Sequence, residues 1–300
     1  MADLAEKIRS LKKEKGAVIL AHNYQRPDVL DVADFIGDSL ELARRGLEAQ
    51  AEIIVFCGVS FMAETSKILT PDKKVLLPSL AAVCPMAEMV GVKEVRRLRE
   101  EHPGVPVIAY VNTRSDVKAE ADICCTSANA AAVANSLPGD EVILVPDANL
   151  AQYVAAETGK KVYFPRGFCY VHSKILPEAV SVAKEVHPDA EILLHPECPP
   201  ETLALADHIF STSGMLRHAQ ESDCKEFIIG TEEGMLEVLS RGVPDKVFHP
   251  VGGVCVQQKK VNLQRVFDCL NEEKNEVFVE KDVADKARDA INKMLCLKSL

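Results

Sequence analysis

Cys84, Cys169 and Cys255 stand 85 and 86 residues apart, and each closes a similar stretch of sequence. The runs Val75–Cys84, Lys161–Cys169 and Lys246–Cys255 each hold a short apolar segment, a proline and then a turn that ends in the thiol. The repetition reaches further back. His22–Ser39, Tyr110–Ser127 and His195–Thr212 align without a gap, with polar residues at positions one and three, Ala-Asp at twelve and thirteen, and a hydroxyl at eighteen. From the start of each segment to its cysteine the distances are 62, 59 and 60 residues. A middle element recurs as Ile53–Ser60, Glu141–Asn149 and Glu226–Glu233. Internal repeats of this kind decide how the rest of a chain is read. Three cysteines delivered by three copies of one unit point to a single shared centre.

Each copy alternates apolar strand-like runs with helical spacing, which argues for βα units and parallel sheets. Strands are expected at Gly16–His22, Ile53–Phe56 and Val75–Leu77, then at Val107–Tyr110, Val142–Val145 and Val162–Phe164, then at Ile192–Leu194, Phe227–Ile229 and Val247–Phe248. Helices are expected at Asp28–Ala43, Phe61–Leu69, Ala119–Ser136, Leu150–Glu157, Glu201–Ala206 and Glu232–Leu239. Charged helices at Ala87–Glu101 and Leu176–Glu185 separate the copies, each followed by a His-Pro pair that ends it. The expected architecture is therefore α/β, three repeated three-layer αβα domains around a pseudo-threefold axis, with short parallel sheets. The boundaries fall at 1–86, 87–172 and 173–260, and helices in 261–300 are expected to complete the first domain. Ligands of open parallel sheets gather beyond the carboxyl ends of strands. That places His22, Tyr110 and His195 with the cysteines around one central cavity.

The formal net charge of -10 and the absence of a long basic tract argue against a general nucleic-acid binder. Aromatic residues make up 5% with no Trp, so base-stacking platforms are not expected either. Neither a signal-peptide core nor a span of bilayer length occurs, and a cytoplasmic protein without membrane contact is expected. Ten cysteines without an export signal read as thiols or metal ligands. Cys57, Cys124, Cys125, Cys224, Cys269 and Cys296 sit in apolar or helical contexts and are expected as buried small hydrophobes. Three thiolates with no evident fourth ligand suit an iron–sulfur cluster with one open iron, and equally a zinc site with an open position. Spacing alone does not choose between them, nor does it exclude three cysteines left over from duplication. No Cys-x-x-Cys run of the ferredoxin kind is present.

The chain resembles the quinolinate synthase family over nearly its whole length. The resemblance rests on Ala21–Tyr24, Gly37–Ser39, Leu77–Ala87, Tyr110–Asn112, Cys125–Asn129, Pro146–Leu150, Gly167–His172, His195–Pro199, Ser211–Met215, Gly230–Gly234 and Cys255, all in order. It implies a transferase of NAD biosynthesis, with a central [4Fe–4S] cluster held by Cys84, Cys169 and Cys255 and one iron left for substrate. The implied reaction condenses iminoaspartate with dihydroxyacetone phosphate, losing water and phosphate. An aspartate-oxidising enzyme is the implied functional partner. The implied cavity wall comprises His22, Tyr24, Ser39, Tyr110, Asn112, Ser127, His172, His195, Glu197, Ser211, Thr212 and Thr231. Two departures from the family pattern stand out. Val256–Lys260 follows the last cysteine where relatives often place a methionine–lysine pair, and the redox-active Cys-x-x-Cys of some relatives is missing.

Imine formation, deprotonation beside a carbonyl and loss of hydroxide all need positioned proton-transfer groups. Glu197 is the expected general acid or base, with His195, Tyr24 and Tyr110 as its catalytic companions. Asn112 and His22 are expected to orient substrate oxygens. Ser39, Ser127 and Thr212 share one repeat position, where a hydroxyl serves equally as a helix cap or, collectively, as a binder of phosphate and carboxylates. Cys198 has Gln25 and Thr113 as repeat equivalents and is expected to have no ligand role. A metal-dependent hydratase or lyase, and an iron–sulfur regulator or electron carrier, are the alternative classes.

Overall fold

The computed structural model describes residues 2–297. Helix α1 (Ala2–Glu14) leads into the first unit, β1 (Ala17–His22), α2 (Pro27–Leu30), β2 (Phe35–Gly37), α3 (Ser39–Glu48), β3 (Ile53–Cys57), α4 (Ser60–Leu69) and β4 (Lys74–Leu76). Helix α5 (Val92–Glu101) opens the second, β5 (Val107–Tyr110), α6 (Ser115–Lys118), β6 (Ile123–Cys125), α7 (Ala130–Ser136), β7 (Glu141–Val145), α8 (Ala148–Thr158) and β8 (Lys161–Tyr163). Helix α9 (Pro177–Val186) opens the third, β9 (Glu191–Leu194), α10 (Pro200–Leu203), β10 (His208–Ile209), α11 (Thr212–Glu221), β11 (Glu226–Gly230), α12 (Gly234–Gly242) and β12 (Val247–Pro250). The chain closes with α13 (Leu263–Glu272) and α14 (Lys281–Cys296).

Each unit folds one four-stranded sheet in the same order, β2-β1-β3-β4, β6-β5-β7-β8 and β10-β9-β11-β12. Every paired strand is parallel. Central strands such as β3 are buried along their whole length, which is why they read as unbroken apolar runs. The expected αβα triplication is thus the observed fold.

The helices expected at Asp28–Ala43 and Ala119–Ser136 are corrected. The first breaks into the single turn α2, the edge strand β2 and the helix α3. In the second the turn α6 ends before Ala119, and only β6 and α7 fall inside the expected span; the run expected at Glu201–Ala206 is one turn, α10, followed by β10 and α11. The Ala-Asp pair of the repeat is the cause. Asp34, Asp122 and Asp207 accept from the backbone N–H of Ile19, Val107 and Ile192 through their carboxylates, at 2.8, 2.7 and 2.8 Å. Their own N–H groups donate back to the carbonyls of the same three residues. This two-point clasp pins the chain beside the first strand and starts a parallel pairing that helical spacing conceals.

Units one and two share a continuous apolar core with the C-terminal helices. The third sheet carries separate cores, one on each face. Helix α13 packs on α1, whereas α14 packs on β6, α6 and α4. Of the six cysteines expected as buried hydrophobes, Cys57, Cys124, Cys125 and Cys269 are buried; Cys224 is half-buried and Cys296 is exposed. Among the described residues no helix is long and apolar enough to cross a membrane.

Candidate active site and thiol centre

One cavity collects residues from all three units, including His22, Tyr110 and His195 from the ends of β1, β5 and β9. The three cysteines reach it through a repeated construction. The carbonyl two residues before each cysteine, that of Ala82, Gly167 or Gly253, accepts from the loop following the central strand, at Ser60, Ala148 or Glu233. The approach is so close that a Cβ at Gly167 would lie 2.2 Å from the Pro146 carbonyl oxygen, and one at Gly252 only 1.5 Å from that of Thr231. Past each thiol the chain tightens into a 3₁₀ turn, Met86–Glu88, His172–Lys174 or Gln258–Lys260. These turns aim two backbone N–H groups at each sulfur: Ala87 and Met86 at Cys84, His172 and Val171 at Cys169, Gln258 and Gln257 at Cys255.

All three thiols are free and line the same cavity. Burial pushes Cys84 up to about 12, and raises Cys169 and Cys255 in the same direction. Without a cation they are therefore neutral, and bound metal would displace the protons. Cys198 lies outside this cavity, buried against the Gly230 carbonyl at 3.7 Å. Three converging thiols, each facing two amides and lacking a fourth cysteine, form a donor set that fits an iron–sulfur cluster with one iron unligated by protein.

Beside the thiols stands a buried polar chain. Glu197 Oε2 lies 2.5 Å from His172 Nδ1. The His172 Nε2 partner is Thr231 Oγ1 at 2.9 Å, and that hydroxyl meets Tyr24 Oη at 2.7 Å. Asn112 donates to Glu197 Oε1 at 3.4 Å, and the rings of His172 and His195 stack at 4.3 Å. The Cys169 sulfur, a His172 nitrogen and a Glu197 oxygen lie within 4.8 Å of one another. Burial alone would raise the Glu197 carboxyl, but adjacent His172 outweighs it and holds the group at about 2.

The repeat also sets the histidine tautomers. Tyr24 N–H donates to His22 Nδ1 at 3.2 Å, and Glu197 N–H donates to His195 Nδ1 at 3.4 Å. Both Nδ1 atoms are acceptors, which leaves Nε2 as the protonated nitrogen. Burial lowers both imidazoles to about 3, reinforced by Lys259 at His22 and by His172 at His195, so each is a neutral donor. The Tyr24 and Tyr110 phenols are pushed well up by burial, with the Glu197 charge adding to the effect, and stay protonated.

Of the residues expected at the wall, His22, Tyr24, Ser39, Cys84, Tyr110, Asn112, Ser127, Cys169, His172, His195, Glu197, Thr212 and Cys255 line the cavity. Ser211 and Thr231 do not. Ser211 caps α11, accepting from Gly214 N–H at 3.3 Å, and Thr231 stands one layer behind Tyr24 and His172. Several residues escaped the sequence reading. Glu232 accepts from the Cys255 and Gly234 N–H groups at 2.9 and 2.8 Å and pairs with Lys259 at 3.1 Å, bracing the third cysteine loop. Gln258, inside the departure from the family pattern, accepts from Gln25 at 2.5 Å and faces the cavity. Asp147 caps α8 with one oxygen, while its other oxygen is buried without a partner. Burial and the Glu197 charge push Asp147 well up. Asp147 and Glu232 lie inside stretches that carry the family resemblance, whereas the glutamine pair joins residues 233 positions apart.

Three parallel αβα units that share one cavity, with a thiol from each and a His–Glu pair beside them, define an α/β enzyme built by triplication around a three-thiol centre. The chain belongs to the quinolinate synthase family: residues 6–296 match the NadA family, described as quinolinate synthetase A protein. It is 54% identical to the quinolinate synthase of Methanoregula boonei over 98% of both chains. Identity is 49% to that of Methanosarcina barkeri, over 99% of this chain and 98% of the relative. It is also 49% to that of Pyrococcus furiosus, over 98% and 97%.

Proposed function

We propose that the chain condenses iminoaspartate with dihydroxyacetone phosphate to form quinolinate, with loss of water and phosphate, at a [4Fe–4S] cluster held by Cys84, Cys169 and Cys255. The observation that carries this reading is the convergence of three free, amide-facing thiols on the cavity that also holds the His172–Glu197 pair. When bound, the cluster supplies an iron without a protein ligand as a Lewis acid for a substrate hydroxyl or carboxylate.

The chain's own groups divide the remaining work. Neutral His22 and His195 donate from Nε2 to substrate carboxylates, and Asn112 orients the oxygen nearest Glu197. Protonated Tyr24 and Tyr110 donate to oxygens that develop negative charge. Ser39, Ser127 and Thr212 line the cavity, and their hydroxyls suit phosphate and carboxylate oxygens. A carboxylate held at about 2 is a weak base by itself. Proton transfer is therefore assigned to the Glu197–His172 pair, with Thr231 and Tyr24 continuing the chain of hydroxyls. An aspartate-oxidising enzyme is the expected source of the imine.

The test is anaerobic purification, iron and sulfide analysis, Mössbauer spectroscopy and a quinolinate assay. Cys84→Ala, Cys169→Ala and Cys255→Ala should each abolish the intact cluster and product formation, whereas Cys198→Ala should keep both. An intact four-iron cluster in Cys169→Ala, or full quinolinate formation by iron-free protein, would overturn the proposal.

A further inference from the structure

The three thiols are alike in their backbone surroundings but not in their side-chain partners. Each faces two amides of its own 3₁₀ turn. Among the described residues, Cys255 alone of the three also meets a side-chain hydroxyl, Tyr170 Oη at 3.6 Å, within reach for a donor to sulfur. Tyr170 follows Cys169 directly, and the residues directly after the other two cysteines are Pro85 and Val256, neither of which has a hydroxyl. The repeat therefore does not account for this contact.

The polarity of the hydrogen bond is set by a second one. Val256 N–H donates to Tyr170 Oη at 2.9 Å and occupies a lone pair of that oxygen. The phenolic hydrogen is left for the sulfur of Cys255. A residue of the second unit's cysteine loop thus holds the third unit's loop at its thiol and at the amide that follows it.

We infer that Tyr170 is a positioning residue that tunes the metal centre, its hydroxyl donating to the Cys255 sulfur and withdrawing electron density from the iron that this sulfur holds. The inference rests on the cluster assignment made above. Hydrogen bonds to cluster sulfurs are among the factors that set reduction potential, because they stabilise negative charge on sulfur and so favour the reduced state. One ligand in three is treated in this way, so the centre is electronically asymmetric although the fold around it is triplicated.

The experiment is a redox titration of the anaerobically prepared holoenzyme, followed by electron paramagnetic resonance, in three forms: wild type, Tyr170→Phe, and protein with 3-fluorotyrosine at position 170. Phe keeps the ring and removes the donor; the fluorinated phenol keeps the shape and donates more strongly. With iron and sulfide contents and far-ultraviolet circular dichroism matched, the midpoint should shift negative in Tyr170→Phe and positive in the fluorinated protein. A merely structural role for the ring would leave both midpoints at the wild-type value, and that result, or the reverse order, overturns the inference alone. A wild-type protein that holds no cluster overturns the cluster assignment and this inference together.

Discussion

Glu197 shows how far a single residue's role can be read before its neighbours are known. Its place after β9, between His195 and Cys198, marked it for proton transfer, and the cavity does hold it buried beside Asn112. Its partner His172 is 25 residues earlier in another unit, and no local pattern announces the pairing at 2.5 Å. Glu197→Gln keeps the shape and the acceptor toward Asn112 but removes the carboxylate charge beside His172. Turnover should fall by about 10²-fold or more, while iron content and the cluster spectrum stay at wild-type levels. Steady-state kinetics beside iron analysis would check this, and near-normal turnover would move the proton-transfer role to His195 or Tyr110.

At the scale of elements, the Ala-Asp pair was visible in all three copies, yet its work was not. Val29, Val32, Phe35 and Ile36 fit helical spacing, and only the clasp between Asp34 and Ile19 turns Phe35–Gly37 into a strand. The helices at Ser60–Leu69 and Ala148–Thr158 were legible because one apolar face and one sheet decide them locally. Asp207→Ala should leave the Ile192 N–H short of an acceptor in a partly buried setting. The expected cost is about 1–3 kcal/mol of unfolding free energy, less for Asp207→Asn, which retains an oxygen. Denaturant titration of the three proteins would measure it; an Ala variant as stable as wild type would remove the clasp from the account of the edge strand.

For the molecule as a whole, the seams between units differ in kind. Units one and two meet through shared apolar core, and Lys118 is sealed inside that junction. Its ammonium donates to the Thr113 carbonyl and lies 5.5 Å over the Phe61 ring. The third unit meets the first through Tyr24, which packs on the third unit's core, and through polar contacts, Asn23 to Thr212 at 2.9 Å, Ser213 to Glu41 at 2.6 Å and Arg241 to Asp31 at 2.8 Å. Burial lowers the Lys118 amine to about 8. Below that pH the amine is charged in both folded and unfolded chains, and the fold bears its full desolvation. Between about 8 and the ordinary lysine value near 10.4 only the unfolded chain holds the proton, so this residue's contribution to stability rises with pH, by up to ~3 kcal/mol. Buried thiols such as Cys57 and Cys124, raised by burial, act in the opposite sense as the unfolded chain ionises. The informative quantity is therefore the difference between wild type and Lys118→Met, which should move in favour of wild type across that window. A difference independent of pH would show that the amine is not buried as a charge.

Burial between near neighbours in the chain leaves a periodic trace, and most of what it decides was present in the sequence alone. The triplication, the parallel α/β class, the three cysteines and most of the cavity wall follow from spacing, strand ends and family resemblance. Contacts across units leave no such trace, because they depend on how one sheet is set against another. The His172–Glu197 pair, the Gln25–Gln258 amides, the reach of Tyr170 to Cys255 and the seat of α14 against β6 are of this second kind. Ser211 and Thr231 show the same division: the family resemblance placed both at the cavity wall, and the packed structure makes one a helix cap and sets the other behind Tyr24.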